Sequence, residues 1–457
     1  MNRVFINRLT VLFAFVSGLA MALPAQGENL SDALANAYRH SDLLNQNRAL
    51  LRSADEDVLI AYSALRPVIT YTARSRLVYA RSGLNTNSSN HSVNVDLRWL
   101  IWDYGSTKAQ IEAQKLTVLA TRQSLIDIEQ RVLLGGVQAY MQYRQAADVL
   151  ALRSSNVRLI RQELQAANDR FDVGEITRTD VAFAQSRLAS AQAAEVSAQG
   201  TLAEAREGYK VATGHYPSGV MNPPKLPVTV SSAEQARAIA VRNHPEVIAA
   251  QHAVAIAELG IVQAEASMMP RFTVGAGATK ASNATTSNTL DVTMTGTLYK
   301  GGELSARYNK AKLNVEAKRY ALNIAVLNMG QSAVNAYNNL QVQRAQIESA
   351  SQQIRASTVA YRGVKEEATL GSRTTLDVLD AEQELLDSRT NLLVSETQQY
   401  VAAYSLMASM GVLTVKKLGL NVVTYDPNDY YNSVKSRKPI SVQGTQLDRV
   451  LKRLQKN

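Results

Sequence analysis

The chain has 457 residues, 46% of them hydrophobic, no cysteine and a formal net charge of +10. The length permits more than one domain. The absence of cysteine excludes disulfides, thiol chemistry and a lipidated amino-terminal cysteine. Asn2, Arg3 and Arg8 open a basic start, Leu9 to Leu19 is apolar, and Ala20-Met21-Ala22 and Ala25-Gln26-Gly27 offer two small-residue cleavage sites. Residues 1–27 therefore read as a secretory leader, absent from the mature chain. Beyond them no apolar run counts as long enough to cross a bilayer as a helix. An exported chain of this kind is periplasmic, secreted, or inserted in an outer membrane as a barrel.

A helix is predicted over 30–64, where Leu30, Ala33, Leu34, Ala37, Leu43 and Leu44 recur at helical spacing. Pro67 stops it. Two strands follow, at 67–81 and 92–102. In the first, Ile69, Tyr71, Ala73, Leu77 and Tyr79 share one face, and Thr70, Thr72, Arg74 and Arg76 share the other. In the second, Val93, Val95, Leu97, Trp99 and Ile101 oppose Asn94, Asp96 and Arg98. The Asn- and Ser-rich stretch from Ser82 to His91 reads as a polar loop between them. A long proline-free helix is predicted over 105–170, then a turn at Gly174, then a helix over 177–214 ending at Gly214.

The series then repeats. A helix is predicted over 232–267, strands over 271–281 and 289–299, a long helix over 302–369, a turn at Gly371, and a helix over 375–411. Pro67 and Pro270 share a spacing of 203. Later pairs share a spacing of 197, such as Gly174 with Gly371, Asp180 with Asp377 and Gly214 with Gly411. This points to one duplicated unit, with copies over 28–225 and 226–420. Each long helix would make a rod of about 100 Å. From Lys416 onward nine Lys/Arg and three Asp give +6, so 421–457 reads as a basic, solvated tail. An exported chain gives no reason to expect nucleic acid.

Each strand has about the 9–11 residues that cross a bilayer at a tilt, with one apolar and one polar face. A soluble sheet shares that alternation. Tyr79, Trp99, Trp102 and Tyr299 near strand ends fit an interfacial girdle. Four strands cannot close a membrane barrel, because an open edge in lipid leaves backbone groups unpaired. If the strands span a membrane, several chains must pool them.

The repeat, the strand layout and the second turn, Leu370-Gly371-Ser372-Arg373-Thr374-Thr375-Leu376-Asp377-Val378-Leu379-Asp380-Ala381, together resemble the TolC family of outer-membrane exit ducts from about Asn29 to Leu420. The resemblance implies a mostly α fold with a small β part. Long antiparallel helical hairpins would form a trimeric α-barrel with coiled-coil-like packing, and four strands from each protomer would complete a 12-stranded transmembrane barrel. It implies an outer-membrane homotrimer in contact with lipid, with a long periplasmic extension. Its partners would be a periplasmic membrane-fusion adaptor and an inner-membrane ABC or other transporter. Asp377 and Asp380 would ring the periplasmic entrance, and Arg373 would bond the neighbouring hairpin near Thr179 and Asp180. Val173, Gly174, Glu175, Leu370, Gly371 and Ser372 would dock the adaptor. Arg74, Arg76, Asp96 and Arg98 would face the barrel lumen. Tyr425-Asp426-Pro427 in the tail resembles ducts of type I secretion, with multidrug efflux as the alternative. The family's tyrosine three residues before the second-turn glycine is Ala368 here, which removes one gating hydrogen bond.

Plainer readings stand beside these. Thr177 with Asp180, and Thr374 with Asp377, fit Thr-x-x-Asp helix caps. The counterpart of Asp380 is Phe183, and capping requires no acid there. Glycine at 174 and 371 serves any tight interhelical turn. No enzyme or cofactor is expected. The five histidines form no metal motif, Val274 to Lys280 lacks the glycine a phosphate loop needs before its lysine, and no GxSxG elbow occurs. The alternative from another class is a helical structural protein of the periplasm or cell surface with a small soluble sheet.

Overall fold

A computed structural model describes residues 28–435 apart from 83, 220–221, 228–229 and 283–284. Residues 1–27, which read as a leader, the tail beyond 435 and the side chains of 78–88, Tyr79 among them, lie outside the described residues. One series of elements occurs twice. The first run is α1 (Leu30–His40), α2 (Asp42–Ser63), β1 (Val68–Ser82), β2 (Leu84–Trp102), α3 (Ser106–Asp172) and α4 (Arg178–Thr213). The second is α5 (Ala233–Asn243), α6 (Pro245–Ala266), β3 (Arg271–Ala281), β4 (Ser287–Thr295), α7 (Glu303–Thr369) and α8 (Thr375–Ser409). Corresponding helices have 11 and 11, 22 and 22, 67 and 67, and 36 and 35 residues. Short helices α9 (Val415–Leu418) and α10 (Pro427–Lys435) follow.

The helices predicted over 30–64 and 232–267 are each broken once. Ser41 and His244 stand at the breaks in extended conformation. Ser41 Oγ accepts from the Leu44 amide at 3.2 Å, and His244 Nδ1 accepts from the Glu246 amide at 3.2 Å. Both side chains satisfy amides that a new helix start leaves without partners. Pro245 sits in the first turn, where its missing N–H costs nothing. Burial lowers the pKa of His244, so its ring stays neutral and Nδ1 keeps a lone pair to accept with.

Two strand boundaries differ from expectation by more than two residues. Residues 84–91 are strand, not loop, because the β1–β2 ladder runs unbroken from Val68 opposite Arg98 to Ser82 opposite Leu84. Backbone pairing does not require apolar side chains, so the Asn/Ser composition misleads there. β4 ends at Thr295, short of the predicted 299. Gly296 lies against Pro270, which has no N–H to carry the ladder further.

The chain divides into two compact units. One comprises the chain up to Leu44, Ile128–Val241 and Gly330–Val423. Its buried clusters join α5, α7 and α8 through Ala240, Ala333, Leu340 and Leu406, and α3, α4 and α8 through Ile160, Ala184 and Leu379. The alanines let helix backbones approach closely. Glu28 ties the start of this unit together. Its carboxylate accepts from Tyr209 Oη at 2.5 Å and Asn36 Nδ2 at 2.9 Å, and lies 3.0 Å from His215 Nε2.

The other unit comprises Asn45–Asp127, Arg242–Met329 and the chain from Thr424 on, and holds the sheet. The described part of the tail is packed here, which corrects the expectation of a solvated segment. The guanidiniums of Arg48 and Arg52 lie over the Tyr425 ring at 5.5 and 6.0 Å. Tyr430 Oη donates to Glu56 at 2.8 Å, and Arg122 donates to Asn428 at 3.0 Å. Among the described residues one helix, α6, has the length and composition of a membrane span, contrary to the sequence reading. Alanine is its commonest residue, and its Glu258 accepts from Arg319 of α7 at 2.9 Å. Length and composition alone do not make a span.

Candidate duct wall and entrance turns

The four strands form one antiparallel sheet in the order β1-β2-β3-β4. Their register brings like faces together. Ile69 lies opposite Leu97, Leu97 opposite Ala276, and Ala276 opposite Leu290. Tyr71, Val95, Ala278 and Trp99, Val274, Val292 extend the same face. A one-residue slip would break this set, because strand side chains alternate with period two. The apolar face is open in the isolated chain: Ile69 is 68%, Tyr71 77% and Leu290 80% exposed. An unpartnered apolar surface on all four strands must meet lipid or another partner.

The opposite face carries Thr70, Thr72, Arg74 and Arg76 on β1, Asn94, Asp96 and Arg98 on β2, and Asp291 on β4. Gly275 and Gly277 make room for the acids between them. A Cβ at 275 would stand 2.6 Å from Asp291 Oδ1, and one at 277 would stand 3.2 Å from Asp96 Oδ1. Arg66, Arg98 and Arg271 with Asp96 and Asp291 line a cavity of 660 Å³ at this face. Arg66 and Arg271 were missed from the sequence because each lies at an element boundary, outside the alternation. At the strand end the Trp102 ring packs on Tyr104 and Phe272, with centroids 4.2 and 5.6 Å away. Trp99 Nε1 donates to the Leu65 carbonyl at 3.0 Å. Tyr299 stands exposed.

The two interhelical turns share one design. Gly174 and Gly371 are left-handed, with φ of 81° and 79°. Glu175 N donates to Arg170 O at 2.9 Å, and Ser372 N donates to Glu367 O at 3.0 Å. This is the Schellman closure, and it explains glycine at both positions without any docking partner. Val173 and Leu370 beside them are 72% and 84% exposed. Both Thr-x-x-Asp caps form in full. Asp180 accepts from Thr177 N and Oγ1 at 3.0 and 2.8 Å, and Asp377 accepts from Thr374 N and Oγ1 at 2.9 Å each. These bonds lower the pKa of Asp377.

Arg373 does not bond Thr179 or Asp180 within the chain. Its Nε donates to Glu367 at 2.9 Å, inside its own hairpin. Glu367 lies six residues back, across the turn, so it reaches the guanidinium first. One ion pair between the two hairpins runs the other way round: Arg187 of α4 donates to Asp380 of α8 at 2.5 Å. Asp380, the acid that capping does not explain, is therefore ion-paired. Two residues on, Glu382 is buried, 6% exposed. Asn156 Nδ2 donates to its Oε1 at 2.7 Å. Burial pushes its pKa up to about 7. Neither Arg187 nor Glu382 was singled out from the sequence. Their partners lie 193 and 226 residues away, and no local pattern marks them.

A family profile described as "Outer membrane efflux protein" matches residues 30–215 and 237–412. The outer membrane efflux protein BepC of Brucella suis is 31% identical over 422 residues, covering 90% of this chain and 92% of that protein. The outer membrane protein TolC of Vibrio cholerae is 25% identical over 432 residues, covering 89% and 96%. The solved CmeC outer membrane channel of Campylobacter jejuni superposes with a TM-score of 0.74 at 15% identity, covering 90% of each chain. The fold class is thus the one predicted: mostly helical, internally duplicated, with the small sheet and long hairpins of these outer-membrane channels. The protein resides in the outer membrane, with a long periplasmic helical part. The chain belongs to the outer membrane efflux protein family, to which the TolC resemblance pointed.

Proposed function

We propose that the chain is one protomer of a passive trimeric exit duct. One observation carries the reading: the register gives all four strands a common apolar face, with arginines and aspartates opposite. Lipid is the partner that suits the apolar face in an outer membrane. Four strands leave open edges there, and three chains would pool twelve and close them. Arg74, Arg76, Asp96 and Arg98 then face a water-filled lumen, where charge costs little. A lipid-facing charge would cost about 2–4 kcal/mol at the midplane.

The duct has no catalytic centre in this reading, and energy comes from an inner-membrane transporter, ABC-type or other, through a periplasmic adaptor. The exposed turns Val173-Gly174-Glu175 and Leu370-Gly371-Ser372 are the docking points. The cargo reading is type I protein secretion, supported by the Tyr425-Asp426-Pro427 segment. Small-molecule efflux is the second reading, favoured by the printed name of the Brucella relative. Crosslinking in cells followed by copurification separates the two, because the transporter recovered identifies the cargo class.

Asp377, Asp380, Arg373, Thr179 and Asp180 would lie at the entrance, with three copies of each acid around one axis. Rings of acid favour cations. Asp380→Ala removes the acid and leaves Arg187 without its partner, so both changes act in one direction. The cation-to-anion permeability ratio of the trimer in planar bilayers is expected to fall. An unchanged ratio would remove Asp380 from the entrance.

A further inference from the structure

Glu382 is a buried acid that the duct reading does not use. It lies where α3, α7 and α8 meet, beside a cavity of 300 Å³ lined by Leu152, Leu159, Tyr361, Leu385 and Leu386. Its Oε1 takes the Asn156 amide, and its Oε2 is buried with no hydrogen-bond partner. The charged groups around it are committed or do not bond it. From α3 comes Glu163, a like charge, which holds Lys365 of α7 at 2.7 Å. From α7 come Tyr361, 3.5 Å from that same ammonium, and Arg362. Arg389 of α8 lines the cavity, and Arg187 of α4 is held by Asp380. An ionised Glu382 would thus have one amide as its hydrogen-bond partner, whereas a neutral one buries no charge. Burying a charge on those terms is strongly unfavourable.

We infer that Glu382 is a proton-sensitive positioning residue: with its carboxyl protonated, α8 stays packed on α3 and α7, and its ionisation releases α8 so that the carboxylate reaches water. The cavity that Glu382 helps to line gives that water its way in. Burial and the nearby Glu163 raise the pKa to about 7, while Asn156 and Lys365 oppose the rise. In the released state the carboxyl returns toward the ordinary carboxylate range. The packed form therefore keeps a proton that the released form gives up. Acid favours packing, and the preference is lost as pH rises toward and through about 7. The functional consequence rests on the duct reading, since Asp380 on the same helix is assigned there to the entrance.

The test has two arms, and both use the full mature chain. In planar bilayers the open fraction of the trimer is expected to rise from pH 6 to pH 8. One linked proton limits the change in the opening constant to about tenfold per pH unit. Glu382→Gln should hold the acid-side level at every pH. Asn156→Leu, which removes the donor that favours the ionised form, should move the midpoint to higher pH. The second arm needs no conductance. The chain has no cysteine, so spin labels on Arg158→Cys in α3 and Asp387→Cys in α8 report one distance. It should lengthen above pH 7 in the otherwise unaltered chain and stay constant with Glu382→Gln. A pH-dependent distance with no conductance at any pH would reject the duct reading and leave this inference standing. Conductance whose pH dependence is the same with glutamate and glutamine at 382, or a distance that ignores pH, would overturn it. If the glutamine variant does not fold, the distance in the unaltered chain and the midpoint of the Asn156 variant still decide.

Discussion

Replacing Leu97 with arginine is expected to empty the outer membrane of this protein. Leu97 lies in the middle of the common apolar face, flanked by Ile69 on β1 and Ala276 on β3. If that face meets lipid, the guanidinium costs about 2–4 kcal/mol near the midplane in every protomer. At about 1.4 kcal/mol per tenfold, the insertion equilibrium falls by roughly 30- to 700-fold per chain. Asn94→Arg is the matched control. It lies three residues away on the same strand but on the opposite face, where Arg98 already stands. Immunoblots of sucrose-gradient fractions, with and without detergent, check both. Wild-type levels of Leu97→Arg in the outer-membrane fraction would mean that the apolar face does not meet lipid. Loss of both variants equally would mean that the strand tolerates no arginine, and face would not be the cause.

Leu406→Ala should produce the largest loss in the helical part. Leu406 is fully buried on α8. Around it lie Ala236 and Ala240 of α5, Ala333 and Leu340 of α7, and Ala402, Ala403 and Met410. Leucine-to-alanine changes in cores cost about 2–5 kcal/mol, more when the site cannot collapse. Alanine neighbours have no side-chain length with which to fill the gap, so the upper half of that range is expected. Leu406→Met conserves volume and should cost less than about 1.5 kcal/mol. Thermal loss of the far-ultraviolet dichroism of purified protein compares the two. Equal midpoints for alanine and methionine would show that the alanine-lined site relaxes.

Much of the architecture was legible because it rests on local chemistry. The duplicated element order followed from prolines and glycines at fixed spacing, and both Thr-x-x-Asp caps were readable from four residues each. The faces of the strands followed from period-two alternation. The breaks at Ser41 and His244 were also written locally, as Ser41-Asp42 and His244-Pro245, but an apolar period that continues on both sides masks them. The strand over 84–91 was hidden because an Asn/Ser run looks like a loop, and only its partner strand supplies the hydrogen bonds that make it an edge of the ladder.

What the amino-acid order determined alone is whatever depends on neighbours within a turn or two: helix starts, glycine turns, the two faces of each strand and the doubling of the whole. The tertiary structure decided which side chains meet. Arg187 on Asp380, Arg373 on Glu367 and Asn156 on Glu382 are such meetings. Most of these are partners brought together by packing from distant parts of the chain. A carboxylate's charge, and so its function, depends on which neighbour arrives.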